Sequence, residues 1–144
     1  MKRFFNMLFA IIILATALTA GAQAQSSSTQ RVIANIPFAF TVGNKTLLAG
    51  KYTITVVNPS SDRRALQIRS MNGRSSAIVL TNAINGHASD SSKLVFERYD
   101  DRYFFAQAQL SGDSTTLAAL RSKSEHKQLV ATAKKRSLVI IVAG

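Results

Sequence analysis

His87, Ser89 and Asp90 stand together in the run Gly86-His87-Ala88-Ser89-Asp90. A base, a hydroxyl and a carboxylate are the parts of an activated nucleophile, so the group suggests a hydrolase or a weak metal site. Such chemistry needs a fold that aims the three at one point, and no Gly-x-Ser-x-Gly turn is present to do so. A solvated polar loop explains the same residues. The second histidine, His126, follows Glu125 and carries no partner motif of its own.

The acids are Asp62, Asp90, Glu97, Asp100, Asp101, Asp113 and Glu125. Glu97 with Asp100 or Asp101 is the one local grouping that resembles a glycosidase pair, but Arg98 and Arg102 lie beside them and make ion pairs at a turn the simpler account. Two aspartates offer too few oxygens for calcium. The chain has no cysteine, which removes thiol chemistry, disulfides and cysteine-based metal sites. No cofactor motif or phosphate-cradling glycine loop appears, so no cofactor is expected.

Two groups fit binding better than catalysis. Arg63, Arg64, Arg69 and Arg74 cluster around Asn72-Gly73, and arginine forks match carboxylate and phosphate geometry. They suggest a docking site for an anionic polymer, or else a charged edge that discourages aggregation. Tyr99, Tyr103 and Phe105, with Val95, form a second candidate surface if they share one exposed face, and are core, the preferred reading, if the C-terminal strand or helix covers them. No aromatic platform or helix-turn-helix accompanies the arginines, so specific nucleic-acid recognition is not expected.

The elements that must position these residues are mostly strands, because the apolar period is two from residue 31 onward. Val32, Ala34 and Ile36 alternate up to Pro37, then Phe38, Phe40 and Val42 alternate up to Gly43-Asn44. A two-residue loop there sets Phe40 opposite Leu47. Tyr52, Ile54 and Val56 share a face, and Asn58-Pro59 ends that strand. Asn72-Gly73 is the strongest hairpin signal and predicts a type I′ turn with Ile68 opposite Ala77 and Leu66 opposite Val79.

Residues 81–92 are small and polar and read as a long loop or weak hairpin. Around Asp100-Asp101, a three-residue loop pairing Arg98 with Arg102 puts Leu94, Phe96, Phe104, Ala106, Ala108 and Leu110 inward. It leaves Val95, Tyr99, Tyr103 and Phe105 on the other face. Ser122-x-x-Glu125 is a capping box that opens one short helix, with Lys134, Lys135 and Arg136 at its end. Leu138 to Val142 reads as a final strand buried within the sheets.

The first 24 residues read as an export signal. Lys2 and Arg3 precede an apolar run from Phe4 to Leu18, and Ala20, Ala22 and Ala24 follow at small-x-small spacing. Phe4 to Ala20 is short for a membrane span, so cleavage after Ala24 and a mature protein with no stable span are expected. The domain organisation is then a signal peptide at 1–24, a flexible lead-in at 25–30 and one β-rich domain at 31–144. The full chain has 18 Lys and Arg against 7 Asp and Glu, a formal net charge of +11. Most of that excess survives signal removal and attracts anionic partners through a salt-screened field.

Ile36-Pro37-Phe38 through Val42-Gly43, Ala49-Gly50-Lys51-Tyr52, Phe96-Glu97-Arg98-Tyr99 and Asp101-Arg102-Tyr103-Phe104, with Ser122-x-x-Glu125, form a set. In these the chain resembles a family of uncharacterised secreted proteins found mainly in acidobacterial genomes. It departs from that pattern at Leu48, where proline is expected, and at Asp100, where glycine is. Ala49-Gly50-Lys51-Tyr52 is also similar to the Pro-Ala-Gly-x-Tyr segment of transthyretin-like and Cna-B-like sandwich domains. The resemblance implies secretion and carries no activity.

The sequence therefore predicts a mainly β protein, an antiparallel sandwich or small barrel of seven or eight strands with one short helix near the C-terminus. It points to a non-catalytic exported protein, periplasmic or secreted, with a binding or structural role and an anionic envelope or extracellular polymer as partner. The rivals are a secreted hydrolase or metal-dependent enzyme on His87 and Asp90, and a barrel that carries a small apolar ligand.

Overall fold

Residues 30–59, 61, 64–131 and 136–144 are described by a computed structural model. The expected export signal at 1–24, residues 25–29 of the expected lead-in, Asp62, Arg63, Lys134 and Lys135 lie outside the described residues. Among the described residues the chain forms β1 (Arg31–Ile36), β2 (Phe40–Val42), β3 (Lys45–Leu47), β4 (Gly50–Val56), β5 (Ala65–Ser70), β6 (Ser76–Asn85), β7 (Ser92–Tyr99), β8 (Arg102–Gln109), β9 (Thr115–Ala119), helix α1 (Lys123–Ala131) and β10 (Arg136–Ala143). The fold is mainly β and sandwich-like, as expected, but with ten strands rather than seven or eight.

Two halves of one bent sheet face each other. The first runs β1-β4-β5-β6, all antiparallel. The second runs β6-β9-β8-β7-β10, and the β2–β3 hairpin joins it through β8. β6 serves both halves: Ser76 pairs back to Arg69 in the first, and Thr81 to Asn85 pair with β9 in the second. At the changeover Thr81 is fully buried, and its amide and hydroxyl both donate to the Arg64 carbonyl. Pro37 marks the other crossing. Lacking an N–H it ends the β1 ladder, and β2 resumes beside β8 in a parallel pair that an all-antiparallel expectation excludes.

Alternation fills the space between the halves. Val32, Ala34, Ile36, Tyr52, Ile54, Val56, Leu66, Ile68 and Val79 point inward from the first, and Phe40, Val42, Leu94, Phe96, Phe105, Ala108, Leu110 and Leu117 meet them from the second. Phe96 is the centre of this core. Its ring meets Phe38, Phe40 and Phe105 edge-on at centroid distances of 5.2, 5.3 and 5.7 Å, the arrangement that aromatic quadrupoles favour.

Two predicted registers hold: Phe40 opposes Leu47, and Ile68 opposes Ala77. Gly43 has φ 58°, so the β2–β3 loop uses glycine's left-handed freedom at its first position. The Asn72-Gly73 turn differs from the predicted type I′. Of its two residues Gly73 alone has positive φ, because the Asn72 side chain accepts from the Arg74 amide and the Ser70 hydroxyl and so forms an Asx turn.

Three other expectations are corrected. Residues 81–85 are not loop but the second half of β6, and Asn85-Gly86 does not turn, since the Gly86 amide continues the ladder to the Ser114 carbonyl. The β7–β8 loop has two residues, not three: Tyr99 opposes Arg102, and Asp100 takes φ 52°. Further along the hairpin Val95 opposes Gln107 while Phe96 opposes Phe105, so Ala106 is an extra, bulged residue that restores the inward facing of Leu94 and Ala108. Last, Arg136 begins β10 rather than ending the helix. Among the described residues β10 pairs only with β7, and while Val139 and Ile141 pack against the core, Leu138, Ile140 and Val142 are exposed rather than buried.

Candidate binding surface

The register of the first sheet half fixes what its outer face carries. Arg31 opposes Thr55, which opposes Gln67, which opposes Ile78; one row along, Ile33, Thr53, Arg69 and Ser76 line up the same way. In the next row Asn35 opposes Lys51, and the Met71 amide bonds the Lys51 carbonyl. Directly opposed residues share a face, with strands about 5 Å apart and same-face neighbours about 7 Å apart along a strand. Arg31, Lys51 and Arg69 therefore stand on one face within roughly 10–15 Å of one another. All three side chains are exposed, and Arg74 is exposed at the hairpin tip beside them.

Among the described residues the charge on this half has one sign. Between residues 30 and 89 the described residues include Arg31, Lys45, Lys51, Arg64, Arg69 and Arg74 and no acid. The ion pairs among the described residues lie elsewhere or at the margin: Arg64 with Asp113 at 3.4 Å, Arg98 with Asp101 at 3.7 Å, and Glu97 with Arg121 and Arg136. Arg31, Lys51, Arg69 and Arg74 face no carboxylate there. Four unneutralised cations on one rigid surface make a field that a polyanion meets before contact.

Of the predicted arginine cluster, the structure keeps Arg69 and Arg74 together. It withdraws Arg64 into the pair with Asp113, and Arg63 lies outside the described residues. Arg31 and Lys51 were missed by sequence reasoning, because they come from strands far apart in the chain. The signal that finds them is the β1–β4–β5 register itself.

The predicted aromatic surface is divided. Phe105 turns into the core beside Phe96. Tyr99 is buried on the opposite face, edge-on to Phe104 at 5.7 Å. Tyr103 is half-buried, stacked on Phe38 at 3.9 Å with the Arg98 guanidinium 5.6 Å from its ring centre. The two-residue loop is the physical reason, since adding or removing one residue in a hairpin exchanges the faces.

Glu97 joins a network that the sequence does not reveal. Its buried carboxylate accepts from the Tyr99 hydroxyl and from Arg136, with Arg121 at 3.7 Å. Burial, then the bond to Glu97 and its charge, push the Tyr99 hydroxyl up to about 12. Glu125 is buried nearby at the first turn of α1; desolvation and then the charge of Glu97 raise it, while Arg121 and the Ser122 amide oppose the shift. The predicted cap at Ser122 is present: its hydroxyl accepts from the Glu125 amide at 3.2 Å. With Arg102 donating to Gln128 at 2.8 Å, this network fastens α1 and β10 onto β7 and β8.

His87, Ser89 and Asp90 lie in a loop whose polar groups are occupied in holding its shape. The His87 carbonyl accepts from Gln109, the Ser89 hydroxyl donates to the Ser91 carbonyl, and the Ser111 hydroxyl donates to the Asp90 carbonyl. No hydrogen bond or ion pair joins the His87 and Asp90 side chains, which are both exposed. Among the described residues no three His, Cys, Asp or Glu side chains gather as metal ligands.

Compared with known proteins, the chain matches no family model, no curated protein and no solved structure.

Proposed function

We propose that this chain is an exported, non-catalytic protein of the cell envelope or extracellular space that binds an anionic partner through the outer face of its first sheet half. The observation that carries the reading is the one-signed charge of that face: Arg31, Lys51, Arg69 and Arg74 are exposed there and have no acid beside them among the described residues. The Lys-Arg n-region, apolar run and Ala-x-Ala spacing of residues 1–24 support export. Guanidinium groups suit carboxylate and phosphate ligands through paired donors, and the sheet fixes their backbone spacing so that only the side chains must be ordered at each encounter.

Retention of the purified mature chain on an immobilised polyphosphate column tests it. The expected result is salt-dependent elution that moves to much lower salt in R31Q/K51Q/R69Q/R74Q. Retention that is unchanged in that variant contradicts the reading.

A further inference from the structure

Beside its cations, which stand among Thr53, Thr55 and Gln67, the same outer face carries a cluster of aliphatic side chains. Val57 follows β4 and its amide donates to the Ala65 carbonyl; Ala65 opposes Leu80, and the Leu120 amide donates to the Leu80 carbonyl. Val57, Ala65, Leu80 and Leu120 thus form one row across the face. Ile78 and Ile33 stand in the rows that hold Arg31 and Arg69, and Met71 beside Lys51 accepts from the Thr53 hydroxyl on the same side. Ile33, Val57, Met71, Ile78, Leu80 and Leu120 are between 42% and 63% exposed.

That combination selects among anionic partners. A hydrophilic polymer satisfies the cations but leaves the row of Val57, Leu80 and Leu120, with Ile78 adjoining it, in water, where exposed apolar surface is unfavourable. A second copy of the chain would bring Arg31, Lys51 and Arg69 against their own counterparts, and like charges resist that approach. An anionic lipid surface accepts both kinds of group: cations at the headgroups, aliphatic side chains at the acyl boundary, and long Arg and Lys stems lying along the interface. A carboxylate on the face would oppose such docking, and none is present there among the described residues.

We infer that this face docks on an anionic phospholipid bilayer, with Arg31, Lys51 and Arg69 at the headgroups and Ile78 and Leu80 entering the interface. The inference rests on the basic-face reading and names its partner. Each cation near an anionic surface contributes about fivefold in affinity, so loss of three weakens docking about a hundredfold.

The chain has no tryptophan, so L80W supplies a single emission probe. Phosphatidylglycerol-containing phosphatidylcholine vesicles, pure phosphatidylcholine vesicles and soluble polyphosphate are the three ligands. The expected result is a blue shift of L80W with the anionic vesicles only, and about tenfold or greater loss of vesicle binding in I78S/L80S with polyphosphate binding retained. Vesicle binding in which L80W stays water-exposed, or in which I78S/L80S matches the parent, overturns the membrane inference and leaves the basic-face reading standing. Polyphosphate binding that R31Q/K51Q/R69Q does not weaken overturns both. Since Ile78 and Leu80 point outward, the thermal transition of each variant should match the parent.

Discussion

Arg136 and Glu97 are on neighbouring strands but not directly opposed: Arg136 faces Tyr99, and its guanidinium reaches diagonally to the buried Glu97 carboxylate, where the Tyr99 hydroxyl also donates. The last strand is therefore held to β7 by a buried charge as well as by its ladder. Removing the carboxylate leaves the tyrosine hydroxyl and the arginines without their acceptor. E97A is expected to lower stability by about 3 kcal/mol, and E97Q by less because the amide oxygen still accepts. Urea unfolding at neutral pH, with an unchanged m-value, is the check.

The alkaline limb of stability should carry the mark of Tyr99. Its proton is held more tightly in the folded chain, to about 12 against 10.0 unfolded, so its contribution is complete below pH 10 and lost as pH rises through about 12. Y99F removes that slope. Tyr52, also raised by burial, leaves a smaller one. Glu125 behaves alike in the acid range: its contribution is complete below 4.5 and fades as pH rises through its raised value, so E125Q flattens that region. Thermal midpoints across pH test both.

Asp100 holds φ 52° without glycine's freedom. D100G should stabilise by roughly 1 kcal/mol, since the Arg98 Nε bond goes to the backbone carbonyl and survives the change. D100V should destabilise.

Phe96 is fully buried against three rings. F96A should cost about 3–5 kcal/mol through lost transfer energy and an incompletely collapsed cavity. F96L should cost less. Chemical denaturation of both separates volume from aromatic geometry.

Much of the first sheet half is legible in the sequence, because Tyr52-Ile54-Val56 and Leu66-Ile68 alternate cleanly and a short turn fixes the Ile68–Ala77 register, as another fixes Phe40–Leu47 in the β2–β3 hairpin of the second half. The second half is less so. Its β7–β8 hairpin turns on one residue of loop length and one bulge at Ala106, and that choice exchanges Phe104 with Phe105 between inside and outside. Thr115–Ala119 carries too few large apolar groups to announce a strand. The exposure of Leu138, Ile140 and Val142 follows from the edge position of β10, which no local pattern encodes. The arginine cluster is half legible for a related reason: Arg69 and Arg74 share a hairpin, while Arg31 and Lys51 join them only through long-range pairing.

The location of the binding face is tested most directly by two variants of equal charge. R31Q/K51Q/R69Q removes three charges from the first sheet half, and K93Q/K123Q/K127Q removes the same charge from β7 and α1. The measurement is the slope of log affinity for polyphosphate against log salt. The account predicts a marked fall in affinity and slope for the first variant and a small change for the second. Equal losses in both would mean that net charge alone drives binding and that the face has no special part in it.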